Sequence, residues 1–269
     1  MKGFDMKANS FLRFPLFLFL IVFGSASQTA TKAYKATYNP GEQIEYRVHY
    51  GIFSAGEAYM RLSDKYYLVN NRPCFRSEII GNSKGAFESI VKIRNVWGSY
   101  FDTLNFMPQK SFRSIAENKY RRREEVYFDY DNKLATIKVE NKPDQSIGII
   151  PTVQDMVSGY YFLRLQDYED LKKNDTIKMM GIFEDKTYNF NILYLGKTEV
   201  KTKFGKTKAF VISPIMPSNN LFKGKNPIRI WISDDMNRIP LKIEAELLLG
   251  SLDMDIRAYS NLKYPIRFN

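Results

Sequence analysis

The chain is predicted to be mainly β: an antiparallel curved sheet, as an open barrel or sandwich-like arrangement, with one principal helix near 152–167. Three observations predict it. Aromatic residues make up 15% of the sequence, with 18 Tyr and 20 Phe, an enrichment that suits the pleated surface of strands. Apolar and polar residues alternate at period two in several runs, as in a half-buried strand. Short clusters of Asn, Asp, Gly and Pro separate those runs, and such residues close hairpins. Regular turn signals between short strands argue for a sandwich or barrel rather than βαβ units.

The first strand follows Asn39-Pro40-Gly41. In it Ile44, Tyr46, Val48 and Tyr50 alternate with Glu45, Arg47 and His49. Gly51-Ile52-Phe53-Ser54-Ala55-Gly56 then reads as a small-residue turn, with Gly56 also suited to a close backbone approach. A short helix is expected near Lys84–Ile90. Val126, Phe128 and Tyr130 form another alternating row, and Tyr120-Arg121-Arg122-Arg123-Glu124-Glu125 before it is expected to be a solvated sheet face with cross-strand partners. Val153, Met156, Val157, Tyr160, Tyr161 and Leu163 recur at helical spacing, with Thr152 and Asp155 as an imperfect capping pair. Tyr188, Phe190, Ile192 and Tyr194 return to period two. Leu241, Ile243, Ala245, Leu247 and Leu249 form the longest row, and after Gly250-Ser251 the apolar phase changes parity to Leu252, Met254, Ile256 and Ala258. A one-residue slip swaps sheet faces, so a bulge or tight turn is expected at that glycine.

The N-terminus has the three parts of a secretory signal. Lys2, Lys7 and Arg13 precede the apolar run Phe14–Phe23, and Gly24-Ser25-Ala26 supplies small residues for cleavage. The run is shorter than the roughly 20 residues of a spanning helix. The organisation expected is a signal peptide over 1–26, a short leader over 27–37 and a single β-rich domain over 38–269. No transmembrane segment would remain after cleavage, and the protein would be exported, to the periplasm of a Gram-negative bacterium. The chain's formal charge is +11, and removing 1–26 would leave about +9. Outside the cytoplasm such a surface has acidic neighbours in phospholipid headgroups, lipopolysaccharide and glycans. The basic residues are spread along the chain without a nucleic-acid-binding motif, and no nucleic-acid partner is expected.

The residues that carry chemistry are sparse. Cys74 is the one cysteine and His49 the one histidine. Neither a disulfide nor a converging His/Cys metal set can be built from them. Cys74 reads as a small buried hydrophobe. There is no Gly-x-Ser-x-Gly elbow and no glycine-rich phosphate loop. The carboxylate pairs Asp234-Asp235, Glu244 with Glu246, and Asp253 with Asp255 fall on a turn and on the polar face of strands. No catalytic residue, metal ligand or cofactor is therefore assigned. For a binding role, Trp97, Tyr100, Tyr160, Tyr161 and Trp231 are the candidate ligand-facing aromatics. Arg94 and Arg164 are candidate anchors for an acidic headgroup.

Four segments in order carry a family resemblance. They are Gly41-Glu42 with Tyr46; Ser54-Ala55-Gly56 with Ala58; Val153-Gln154-Asp155 with Tyr160–Arg164; and Ile230–Asp235 through Arg238-Ile239-Pro240. Over about 38–263 the chain resembles an exported bacterial family known only as domain of unknown function 3108. The resemblance implies an exported β-rich domain and brings no activity or site residues. Three functions stay open. One is a binding protein for an apolar or amphipathic envelope molecule, a lipid or lipoprotein-like ligand, held in a concavity of the sheet. Another is an assembly or scaffold protein that binds protein or glycan. The third is a hydrolase acting on envelope polysaccharide or peptide. A continuous apolar cavity would favour the first, a flat exposed aromatic patch the second, and two carboxylates facing a cleft the third.

Overall fold

The computed structural model describes residues 37–183, 186–215, 223 and 226–269. The expected signal peptide, and all but the last residue of the leader, lie outside the described residues. Chain order is β1 (Gln43–Tyr50), β2 (Phe53–Leu62), β3 (Tyr67–Val69), β4 (Arg72–Ser83), α1 (Gly85–Ile90), β5 (Arg94–Asp102), β6 (Pro108–Glu117), β7 (Tyr120–Asp129), β8 (Leu134–Val139), β9 (Gln145–Gly148), β10 (Val153–Gln154), α2 (Met156–Arg164), β11 (Thr176–Phe183), β12 (Lys186–Thr202), β13 (Gly205–Pro214), β14 (Ile228–Ser233), β15 (Pro240–Glu246) and β16 (Ser251–Ser260). All sixteen strands belong to one sheet, in the order β10-β11-β12-β13-β14-β15-β16-β1-β2-β4-β5-β6-β7-β8-β9, with β3 paired to β4. Every ladder is antiparallel except β10 on β11.

The sheet is curved and not closed. Its edge strands, β9 and β10, are sequence neighbours that do not pair with each other. The two edges nonetheless approach, because Val153 of β10 and Ile182 of β11 share a buried cluster with Val126, Phe128, Ala135 and Ile137 of β7 and β8. Side chains, rather than a hydrogen-bonded ladder, span the seam of this open barrel. Register shifts at Glu45/Tyr46, Val48/His49, Trp231/Ile232 and Tyr194/Gly196 sharpen the local bend. Gly56 is part of β2 rather than of a turn. A Cβ there would lie 2.2 Å from the Asn82 carbonyl oxygen of β4, so only glycine permits this approach.

The expected alternation is present in β1, where Ile44, Tyr46 and Val48 are buried, and in β15–β16, where Leu241, Ile243, Ala245, Leu252, Met254 and Ile256 are. The long row stops earlier than expected. Leu247 is buried but Leu249 is exposed, because the chain turns there: Leu247 N donates to Gly250 O, and Gly250 has φ +82. That tight turn accounts for the change of parity.

Helix α2 is shorter than 152–167. Val153 and Gln154 are taken by the ladder to β11, and Asp155 is the N-cap instead of Thr152. The Asp155 carboxylate accepts from Val157 N at 2.7 Å and Ser158 N at 3.0 Å, while Ser158 Oγ accepts from Asp155 N at 3.0 Å. This is a capping box in which Ser replaces the usual Glu or Gln. The helix packs on β4, β5, β10 and β11 and buries Met156, Val157, Tyr161, Leu163 and Arg164. It fills the concave side of the sheet, in a continuous core running from Tyr38 to Ile256. In β7 Arg121 and Arg123 are exposed, as a solvated face requires, and only Glu124 departs from that expectation. Glu124 is buried and bonded to Arg113 at 2.7 Å, with Arg122 also on it.

Candidate functional site

The last turn of α2 builds a buried polar cluster in the core. Arg164 sits at 1% exposure and Glu42 at 2%. Glu42 lies at the entry to β1, and the two form a fork-to-fork pair: Arg164 Nη1 donates to Oε1 and Nη2 to Oε2 at 2.9 Å. The remaining donors are used as well. Nε donates to Asn237 O at 3.0 Å, and Nη1 and Nη2 have the Tyr160 hydroxyl at 3.4 Å and Thr37 O at 3.5 Å. The rings of Tyr38, Tyr160 and Tyr161 surround the guanidinium, with centroids 5.3, 5.5 and 5.6 Å from Cζ. Burial works against the Arg164 charge, but Glu42 beside it holds the pKa well above the ordinary value. The three tyrosines are pushed up first by burial and stay protonated. Tyr46 OH donates to Pro240 O at 2.9 Å, and Ser77 Oγ lies 3.0 Å from the Tyr161 hydroxyl.

A second buried cluster lies at the other end of α2. Ser99 Oγ donates to Asp155 Oδ2 at 2.5 Å. Burial pushes the Asp155 carboxyl up to about 6, against the hydrogen bonds from Ser99, Ser158 and Val157 that favour its ionised form. Beside it Trp97, Ser111, Arg113 and Glu124 border a cavity of about 40 Å³. Another cavity, of about 30 Å³, lies between Tyr160, Leu163, Arg164 and the isoleucines of β13–β15. Each has room for a few waters; neither is the continuous apolar cavity that an acyl chain fills.

The structure brings together three of the seven candidate residues, Tyr160, Tyr161 and Arg164. Arg164 does not offer an open anchor for a headgroup, because Glu42 already occupies its fork. Trp97 is buried on the other cavity. Tyr100 is on the outer face, where its hydroxyl accepts from Arg76 Nε at 3.1 Å. Trp231 is also on the outer face, with Lys242 Nζ 5.6 Å from its ring centre. Arg94 is at an end of the sheet, donating to Ser83 O and Ile93 O and paired with Glu88. Reasoning from sequence missed Glu42, Asp155 and Arg113 as site residues. The one available signal was that Glu42 and Asp155 both stand inside the segments that carried the family resemblance.

Other chemistry-bearing residues are accounted for structurally. Cys74 is buried, and burial pushes its thiol up to about 11, far from a reactive thiolate. His49 faces Asp253 across the β1–β16 ladder. Asp235 Oδ1 accepts from Ser233 Oγ, Asn237 N and Arg238 N and so organises the β14–β15 turn. Glu244 and Glu246 are paired with Lys242 and Arg229. Among the described residues no three His, Cys, Asp or Glu side chains converge as a metal site would require, and no helix is long and apolar enough to cross a membrane.

A family model described as protein of unknown function DUF3108 matches residues 45–257. Among solved structures, the chain is similar to a β-barrel-like protein of domain of unknown function DUF1849 from Brucella abortus, with a TM-score of 0.57 and 9% identity. The alignment covers 84% of this chain and 99% of that one, and the likeness is one of fold. No curated protein matches.

Proposed function

The chain belongs to the DUF3108 family, and on that premise we propose that it is an exported, non-catalytic binding protein of the cell envelope that engages an amphipathic envelope molecule on its outside. The observation that carries this reading is the division of its apolar surface. The concave face is filled by α2 and bolted by Glu42–Arg164, while large apolar side chains that the core does not use stand exposed, Ile52 at 90% and Leu249 at 67% among them. Large apolar side chains exposed together on adjacent turns are a mark of interaction. The test is to produce the full chain in a Gram-negative host, sequence its N-terminus and record native mass spectra of protein taken from envelope extracts. The expected result is a periplasmic species starting near Ser27 with an amphipathic molecule retained. Protein with Met1 intact in the cytoplasmic fraction, and free of any envelope adduct, would overturn the reading.

A second reading, a scaffold that holds glycan or protein, is supported by one specific feature. Arg76, Tyr100, Lys110 and Tyr127 stand side by side in register across β4–β7 on the outer face. They form a row of alternating cations and rings, with Lys110 Nζ 4.8 Å from the Tyr127 ring centre. If this reading holds, Tyr100→Ala with Tyr127→Ala abolishes retention on an acidic-polysaccharide resin without loss of fold.

A further inference from the structure

We infer that one end of the barrel, tipped by the β1–β2 turn, the β15–β16 turn and α1, docks onto an anionic phospholipid bilayer. This deepens, and rests on, the reading that the protein engages an amphipathic envelope component. The side chains at issue are Ile52 and Phe53, Leu248 and Leu249, and Ile90, all of them exposed. They form one neighbourhood. β1 pairs with both β2 and β16, so the two turns lie side by side. The Tyr50 hydroxyl donates to Leu249 O, and Gly51 N donates to Ser251 O at 2.9 Å. α1 follows β4 at the same end, held by Lys84 N on Ala55 O at 3.0 Å, and the Phe87 ring is 6.2 Å from that of Tyr50.

Turn chemistry does not call for these residues. Elsewhere the chain turns on Asn70-Asn71, Asn141 and Asn261, all at positive φ, as polar turn residues allow. Here two hairpin tips carry consecutive apolar residues instead. The charge at this end complements an anionic surface. Reciprocal hydrogen bonds between Lys92 and Asn118, at 2.8 and 2.9 Å, set Lys92 and Lys119 beside the tips. Lys223 N donates to Glu246 O, next to the β15–β16 turn. Lys92, Lys119 and Lys223 are exposed, and none of them has a carboxylate partner among the described residues. Apolar prongs on three separate elements, with lysines at their flanks, suit the acyl boundary and headgroup phosphates of a bilayer.

The test is flotation of the purified protein with vesicles of phosphatidylglycerol and phosphatidylethanolamine, and with phosphatidylcholine vesicles alone. The expected result is binding to the anionic vesicles that weakens at least tenfold in 0.5 M salt and in Ile52→Asp with Leu249→Asp. Lys92→Glu with Lys119→Glu gives a comparable loss by an independent route. Leu104→Asp, on an equally exposed apolar residue at the opposite end, leaves binding unchanged. Each variant retains the wild-type circular dichroism and Tm. Equal binding by wild type and both rim variants overturns the inference, and so does absence of vesicle binding by the wild type. An envelope molecule retained in native mass spectra without vesicle binding sinks the bilayer inference alone and leaves the broader reading standing. A photoreactive side chain at position 52 that crosslinks in envelope preparations to a protein, and not to lipid, also overturns it.

Discussion

At the scale of single residues, the Glu42–Arg164 pair dominates the interior. Two full charges at 1–2% exposure are tolerable only because each guanidinium donor has an acceptor and the carboxylate is held at both oxygens. Arg164→Met strands Glu42, and the expected cost is about 3–5 kcal/mol in urea unfolding. Glu42→Met with Arg164→Met removes both charges, and it is expected to cost much less than the two single changes added together, because the penalty of each single lies in the charge left behind. Asp155 makes stability depend on pH. Its folded carboxyl titrates near 6 against an unfolded value near 3.8, so its contribution to stability is full below about 4 and is lost as pH rises through about 6. Asp155→Asn keeps the cap's oxygen acceptor and removes the titration. Unfolding free energies measured from pH 4 to pH 8 are therefore expected to fall for the wild type relative to the variant, by an amount on the order of 2 kcal/mol.

At the scale of elements, α2 is short and its start is set by one side chain. Asp155→Ala removes the acceptor for two helix N–H groups and for Ser99, and a loss of about 2 kcal/mol is expected, readable as a lowered Tm. Gly56→Ala drives a methyl into the Asn82 carbonyl. It should disturb the β2–β4 ladder, seen as faster amide exchange at residues 56–62, because the clash is with backbone that cannot swing aside. Much of this level was legible in advance. The period-two rows of β1, β7 and β15–β16, a helix in the 152–167 stretch (found as Met156–Arg164) and the turn at Gly250 all follow from local pattern. What was not legible depended on distant partners. Val153 and Gln154 read as helix because their ladder partners, Met180 and Gly181, come much later in the chain. Glu124 read as solvated because nothing in the β7 run announces Arg113 opposite it. The candidate site suffered most. Aromatic identity alone does not say which sheet face a ring occupies, and so Tyr100 and Trp231 were grouped with Tyr161, which lies on the other side of the sheet.

At the scale of the whole molecule, the barrel is completed by side chains across its seam. Phe128→Ala empties the centre of the cluster that joins β7–β8 to β10–β11. A loss of about 3–5 kcal/mol is expected, with cleavage by added protease appearing first in the segment around 140–153, where the seam lies. The pairing of β1 with β16 has a different consequence, in time rather than in space. The first strand of the domain waits for the last. Until β16 arrives, β1 presents an unpaired edge, and the apolar faces of the N- and C-terminal halves have only each other to meet. Contacts that span more than 190 residues, such as Tyr46 with Pro240, carry the largest loop-closure cost and form late. A chain that crosses a membrane N-terminus first would therefore spend its whole transit without its central ladder. An exported chain of this topology would need to be held on the far side until β16 emerged, and truncation before Ser251 would leave it in that captive, unfinished state.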